Sequence, residues 1–198
     1  MISVLKARLA SAPDTEDAVI RLVIIAAILL YYTVFVAPEN GWSQDEVRVA
    51  SGVFGFFVIA IGIFISICLR PQKMIWRRIV GMLSDNGGAT FYVWVAGENG
   101  ALMIFVYLFV AFGYGARYGT KYLRASAVLS CIGFALAIFM VPFWQQHRAM
   151  GFELLVALAV LPACVNKFLM QITARAKRLQ HEVTELRAKL ASVDGARE

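Results

Sequence analysis

The sequence predicts an all-α protein, a polytopic integral membrane bundle of six spanning helices (five is the alternative) followed by a cytoplasmic coiled-coil helix. Hydrophobic residues make up 60% of the 198 residues and charged residues only 16%, whereas a soluble domain is about half apolar and about a quarter charged. The apolar residues form runs close to the spanning length of about 20 residues. Lysines and arginines flank these runs, so the net charge of +6 indicates membrane topology and argues against nucleic-acid partners.

The hydropathy pattern divides the chain into three segments. Residues 1–18 form a juxtamembrane segment, 19–170 the transmembrane bundle and 171–198 a cytoplasmic helix. The predicted spans are 19–37, 49–69, 79–96, 101–115, 125–143 and 151–170. Arg21 stands at the head of the first span, where a long side chain is expected to reach the headgroups. The third span is the least apolar.

The distribution of basic residues predicts the orientation of the bundle. All but Arg48 and Arg148 of the 19 lysines and arginines lie in segments on the same side as the N-terminus. Such a bias places that side in the cytoplasm. An odd number of spans would require the third or the first segment not to cross.

Beyond residue 170 an apolar stripe predicts a coiled coil. Apolar residues recur at spacings close to three and four, at Leu169, Ile172, Ala176, Leu179, Val183, Leu186, Leu190 and Val193. With Leu179 at position d, Glu182 at g and Arg187 at the following e form an opposite-charge pair that would bridge two parallel chains. The alternative is an amphipathic helix lying on the membrane surface.

Asp85 is the candidate functional residue inside the bundle, because a carboxylate in a spanning segment is costly unless it is paired or faces a polar cavity. Ser84 and Asn86 could supply hydrogen bonds, and Arg77 or Arg78 a counter-charge. The alternative is a neutral, hydrogen-bonded aspartate that joins helices.

The turn between the fourth and fifth spans is a second candidate. Gly115 and Gly119 flank Arg117 and Tyr118, and the glycines permit a tight backbone path that could form a carboxylate- or phosphate-binding nest. Basic and tyrosine residues at the inner interface are also what topology alone predicts. Glu98, in the outer turn, is either a ligand-binding residue or a solvated surface group.

Enzyme signatures are absent from the sequence. It contains no G-x-S-x-G, no H-E-x-x-H, no Walker A motif and no paired Cys/His ligand set, so we expect no catalytic residues, no cofactor and no metal. Cys68, Cys131 and Cys164 lie inside apolar runs and are expected to be buried thiols.

Several sequence islands in a fixed order resemble a known sensor family. Leu69–Pro71, Arg77–Asp85, Gly97-Glu98 and Gly115–Ala125 are similar to the membrane input domain of hybrid histidine kinases that sense diffusible signal factor, a cis-2-unsaturated fatty acid of bacterial quorum sensing. The resemblance covers about Ala10 to Ala176. In that family the stretch before the first span takes part in sensing, and the family is commonly drawn with five spans and an outside N-terminus.

The resemblance implies a multi-pass sensor of the bacterial inner membrane that acts by protein contact rather than catalysis, since the family's kinase, receiver and phosphotransfer domains have no counterpart here. Its expected partners are an unsaturated fatty-acid signal, membrane lipid and either a second copy or a sensor kinase. The candidate ligand-binding residues are Asp14, Thr15, Glu16, Asp85, Glu98, Arg117, Tyr118 and Tyr122. The alternative function is a small proton- or ion-coupled transporter that uses Asp85.

Overall fold

The computed structural model describes residues 15–39, 41–70, 72 and 74–194, and within these residues the chain is helical with no strand. The helices are α1 (Thr15–Tyr31), α2 (Gln44–Leu69), α3 (Ile75–Ala96), α4 (Met103–Tyr118), α5 (Thr120–Met140), α6 (Pro142–Gln146) and α7 (Arg148–Asp194). A π-helical turn (Tyr32–Val36) and a further α-helical turn (Ala37–Glu39) extend α1, and a 3₁₀ segment (Gly97–Leu102) joins α3 to α4. The predicted all-α class is confirmed.

Consecutive long helices pack as antiparallel neighbours. Ala18, near the start of α1, clusters with Ile63 and Ile67 near the end of α2. At the opposite end Tyr32 donates a hydrogen bond to Glu46 in the first turn of α2. Because the connections between these helices are short, adjacent helices run antiparallel.

The α4–α5 connection shows how tight these turns are. Gly119 alone separates the two helices and has a φ of 92°, a left-handed value that favours glycine. A Cβ on Gly115 would lie 2.6 Å from Leu123 Cδ1, so this glycine lets α4 and α5 approach closely. The two glycines of the predicted nest are therefore explained by the turn and its packing.

The main apolar core lies between α3, α4, α5, α6 and α7. Phe134 is fully buried at its centre. It meets Trp144 edge-to-face at 5.1 Å between ring centroids and Tyr107 at 6.5 Å, a geometry that the quadrupoles of aromatic rings favour.

The polar middle of α3 is buried rather than turned to lipid. Asn86 donates to Ser126 at 3.1 Å and accepts from Ser130 at 2.6 Å, which joins α3 to α5. Thr90 and the Tyr107 hydroxyl are 2.7 Å apart, which joins α3 to α4. Because these groups satisfy one another, the polar residues that weaken the third predicted span are compatible with a membrane interior.

Five helical segments among the described residues are long and apolar enough to cross a membrane: Ala18–Glu39, Glu46–Leu69, Gly100–Tyr118, Thr120–Met140 and Arg148–Glu185. Helix α3, at 22 residues, has a length of roughly 33 Å, enough to cross, but it is less apolar than the other five. These apolar helices support a membrane protein, and the choice between five and six spans stays a prediction.

The last predicted span and the C-terminal helix are one element. Helix α7 runs for 47 residues through Pro162 without interruption, so no helix end falls near residue 170. Residues 171–185 are exposed throughout. This exposed part of α7 is the segment that the sequence predicts to form a coiled-coil dimer. The dimer stays a prediction.

The contact between Gly133 and Thr90 gives a test of the α3–α5 packing. A Cβ on Gly133 would lie 2.3 Å from Thr90 Oγ1, and Thr90 is held by its hydrogen bonds to Asn86 and Tyr107. We expect Gly133→Ala to lower stability by about 1–3 kcal/mol through overpacking, measured by thermal unfolding in detergent. Gly62→Ala is the control, because nothing lies within 4 Å of a Cβ there and a helical alanine is favoured over glycine. Equal melting temperatures for the two variants would contradict this packing.

Candidate functional site

A charged cluster joins α1, α3 and α4 inside the bundle. Arg21 Nε donates to Asp85 Oδ1 at 2.7 Å and Arg21 Nη2 to Asp85 Oδ2 at 2.9 Å. Nη2 also donates to the Tyr114 hydroxyl at 2.7 Å, and that hydroxyl donates to Asp85 Oδ2 at 3.1 Å. The three side chains are thus joined to one another by charge-assisted hydrogen bonds, with the bidentate geometry that guanidinium and carboxylate groups prefer.

The partner of Asp85 corrects two expectations from the sequence. Arg21 is only 7% exposed and turns inward, so it does not reach for the headgroups. It is also a counter-charge of Asp85, whereas the Arg77 guanidinium donates to backbone carbonyl oxygens at the end of α2. Pairing explains both findings, since two buried ions are tolerated together where either alone would be expensive.

Gly81 makes room for this cluster. A Cβ at this position would lie 2.6 Å from Arg21 Nη2 and 2.9 Å from the Tyr114 hydroxyl. Gly81 precedes Asp85 by one helical turn and so shares its face of α3. A glycine four residues before Asp85 is therefore the signal in the sequence that another side chain packs against this face of α3.

Arg77 and Arg78 have other partners. The Arg77 guanidinium is buried and donates to the carbonyl oxygens of Ser66 at 2.7 Å, Arg70 at 2.7 Å and Gln72 at 3.1 Å. Because the last carbonyls of a helix lack partners within it, this arginine caps the end of α2. Arg78 lies over the Tyr118 ring, 4.3 Å from its centroid, a cation–π contact.

An apolar cavity of about 520 Å³ adjoins the cluster and lies between α1, α2, α3 and α4. This volume is within the range of about 300–1,000 Å³ that is typical of small-molecule sites. Its charged lining residues are Arg21, Asp85 and Arg117, near the end where α4 finishes. Tyr31 and Tyr92 line it towards the other end, and most of the wall between is aliphatic or aromatic.

Of the predicted site residues, Asp85 and Arg117 line the cavity. Tyr118 is next to it, with its ring centroid 5.7 Å from that of Tyr114 and 5.5 Å from that of Tyr122. The structure therefore brings these predicted residues to one end of the bundle.

Thr15, Glu16 and Glu98 lie elsewhere. Thr15 and Glu16 form the first turn of α1 and do not line the cavity, and Asp14 is outside the described residues. Glu98 is in the 3₁₀ segment beyond the end of α3, roughly 20 Å along the chain from Asp85 at the α-helical rise.

Residues that the sequence reasoning did not assign to the site are Arg21, Ser84 and Tyr114, all of which line the cavity. The Ser84 hydroxyl oxygen is buried and has no hydrogen-bond partner. Among the residues that the structure describes, no group of three or more His, Cys, Asp or Glu side chains could hold a metal ion.

The chain is 28% identical over 185 residues to the sensory/regulatory protein RpfC in two strains of Xanthomonas campestris pv. campestris. The aligned region is 89% of this chain. The chain is homologous to part of RpfC. It spans 24% of the length of these curated relatives. No protein-family model and no solved structure matches it.

The homology to RpfC confirms the predicted resemblance to the input domain of a sensor kinase. With the apolar helices, it also supports a membrane location.

Removal of the Asp85 carboxylate tests the charged cluster. Asp85→Ala leaves Arg21 buried without its carboxylate, and we expect a loss of about 3–5 kcal/mol in stability, measured as a lower unfolding temperature in detergent. The control is Glu185→Ala, which removes an exposed side-chain contact with His181 and should change nothing measurable. An Asp85→Ala protein as stable as the control would show that the pair does not hold the bundle together.

Proposed function

We propose that this chain is a multi-pass sensor module of the bacterial inner membrane that responds to a fatty acid of the diffusible-signal-factor type. The observation that carries the proposal is the cavity, which combines apolar walls with a charged end. Homology to RpfC, a sensory/regulatory protein, supports a signalling role over the alternative, a transporter that uses Asp85.

The cavity matches the two parts of a fatty acid. Its walls are formed largely by aliphatic and aromatic side chains of α1, α2 and α4, such as Ile24, Phe56 and Val106, which would take the acyl chain out of water. Two arginines and one aspartate are the charged residues at its lining. A guanidinium can bind a carboxylate through two parallel hydrogen bonds.

The ligand would enter from the lipid rather than from water. Ile24, Ile28 and Phe109 line the cavity and are also 39%, 42% and 58% exposed on the outside of the bundle. These residues lie on α1 and α4, so the opening is between those helices. A fatty acid dissolved in the bilayer would then reach the cavity by lateral diffusion.

The juxtamembrane residues Asp14, Thr15 and Glu16 would contribute to sensing by acting on α1. Glu16 is exposed in the first turn of this helix, and Arg21 lies further along the same helix. A carboxylate near a helix N-terminus interacts favourably with the helix dipole. Changes at this stretch would therefore shift the helix that carries the arginine of the cluster.

The output would pass along α7 to a protein partner and would not involve catalysis. The apolar stripe of α7 is exposed at Ile172, Leu179 and Val183, which are 47%, 61% and 48% accessible. A second copy or a sensor kinase with a matching stripe would cover it as a parallel coiled coil. Tyr122 and Glu98 stay expected ligand-binding residues, and the Tyr122 ring contacts that of Tyr118 beside the cavity.

Filling the cavity tests the proposed binding site. A Cβ on Gly113 has nothing within 4 Å and this residue lines the cavity, so Gly113→Leu should fold and occupy the space of the acyl chain. We expect at least tenfold weaker photo-cross-linking of a diazirine analogue of cis-2-dodecenoic acid to the protein in lipid nanodiscs, corresponding to about 1.4 kcal/mol or more.

Gly62→Leu is the matched control for Gly113→Leu. It is also a helical glycine with nothing within 4 Å of its Cβ, but it lies outside the cavity lining. Labelling that falls equally in both variants, or in neither, would remove the cavity as the fatty-acid site.

The juxtamembrane stretch has a separate test. We expect the double substitution Asp14→Ala and Glu16→Ala to weaken labelling by the same analogue severalfold, because α1 loses the charges that set its position. Unchanged labelling would take these residues out of the sensing site without affecting the cavity result.

A further inference from the structure

The charged end of the cavity already contains a carboxylate, which restricts how a second one can bind. The Asp85 carboxylate accepts hydrogen bonds from Arg21 Nε, from Arg21 Nη2 and from the Tyr114 hydroxyl. These three donors bind one planar carboxylate and leave acceptor capacity for a further donor. A fatty-acid carboxylate has the same shape, charge and acceptor pattern as the group that now occupies it.

Ser84 provides a donor that this arrangement leaves unused. Its residue is 7% exposed, it lines the cavity, and its hydroxyl oxygen has no hydrogen-bond partner. A helical serine usually satisfies its hydroxyl on the carbonyl one turn earlier, as Ser130 does with Ser126 at 2.9 Å. A buried hydroxyl without a partner next to an apolar cavity indicates a group that a ligand satisfies.

We propose that the fatty-acid carboxylate replaces that of Asp85 on Arg21 and accepts a further hydrogen bond from the Ser84 hydroxyl. The inference rests on the proposed function, since it describes how the same cavity recognises the acid group. It assigns a carboxylate subsite to Arg21, Ser84 and Tyr114, with Asp85 as an internal competitor.

Electrostatic repulsion favours replacement of the Asp85 carboxylate over the addition of a second carboxylate beside it. A second carboxylate placed beside Asp85 would face a like charge in a region of low dielectric constant, where repulsion is strong. Exchange keeps one carboxylate on the Arg21 guanidinium. The displaced Asp85 stays at a cavity end whose lining also includes Arg117.

The exchange would alter the contacts between helices. In the structure described here Asp85 connects α3 to Arg21 of α1. A bound acid would take over the contact with α1 and release α3 from it. Ligand binding would thereby be coupled to the position of α1 relative to α3.

The test compares cis-2-dodecenoic acid with its methyl ester, by competition against the photoactivatable analogue on the full chain in nanodiscs. Ser84→Ala should weaken the acid about tenfold, as expected for a hydrogen bond to a charged group, and leave the unliganded melting temperature unchanged. Ser130→Ala is its matched control, since it loses the hydrogen bond to Asn86. It should lower the melting temperature and leave the affinity for the acid unchanged.

Asp85→Asn removes the internal competitor but keeps an acceptor for Arg21. It should bind the acid at least fivefold more tightly than the wild-type protein, with no gain for the ester. Arg21→Gln should abolish the preference for acid over ester.

The outcomes separate the subsite from the proposed function. Unchanged or weaker acid binding by a folded Asp85→Asn protein overturns the exchange, and normal acid binding by Ser84→Ala overturns the subsite even if Asp85→Asn does not fold. Acid binding that is blocked by Gly113→Leu but indifferent to Arg21, Ser84 and Asp85 would overturn the subsite and leave the sensor proposal intact. No competition by the acid at the wild-type protein would overturn the proposed function itself.

Discussion

The salt bridge between Arg21 and Asp85 is the constraint on which the cavity depends. Helix α1 packs mainly along α2, and it is tied to α3 and α4 through the Arg21 guanidinium, which binds Asp85 and Tyr114. Two ions removed from water are stable only with good geometry and further hydrogen bonds, and this cluster has both. The pair therefore sets how far α1 stands from α3 and α4, and this separation determines the width of the space between them.

Helix α3 carries polar side chains on the faces that pack against α1, α4 and α5. Its Asn86 and Thr90 bind Ser126, Ser130 and Tyr107 on α5 and α4, and its Asp85 binds α1. In a membrane the hydrophobic effect does not distinguish a helix contact from a lipid contact, so packing and interhelical hydrogen bonds decide which helices associate. The residues that make α3 a poor span by hydropathy are those that hold it to its neighbours.

The cluster of Arg21, Asp85 and Tyr114 lies between the proposed opening to lipid and the helices that contact α7. Tyr114 belongs to α4, which packs against both α5 and α7, and α7 continues out of the bundle as an exposed helix. The homologous RpfC proteins are described as sensory and regulatory, and this chain spans 24% of their length. A shift of α1 relative to α3 would change the contact between Arg21 and Tyr114 of α4. Because α4 packs against α7, the proposed signal would reach α7 through direct contacts.

The sequence alone determined the all-α membrane class, most of the helices and the importance of Asp85, because hydropathy, span length and a charge in an apolar run are local properties. The sequence led to the wrong position for Arg21 and did not indicate that Ser84 and Tyr114 line the cavity. The partner of Asp85 is 64 residues away, and only packing decides which of several arginines turns inward. The cavity likewise depends on how four successive helices pack against one another, and neither periodicity nor residue spacing predicts the space that they leave.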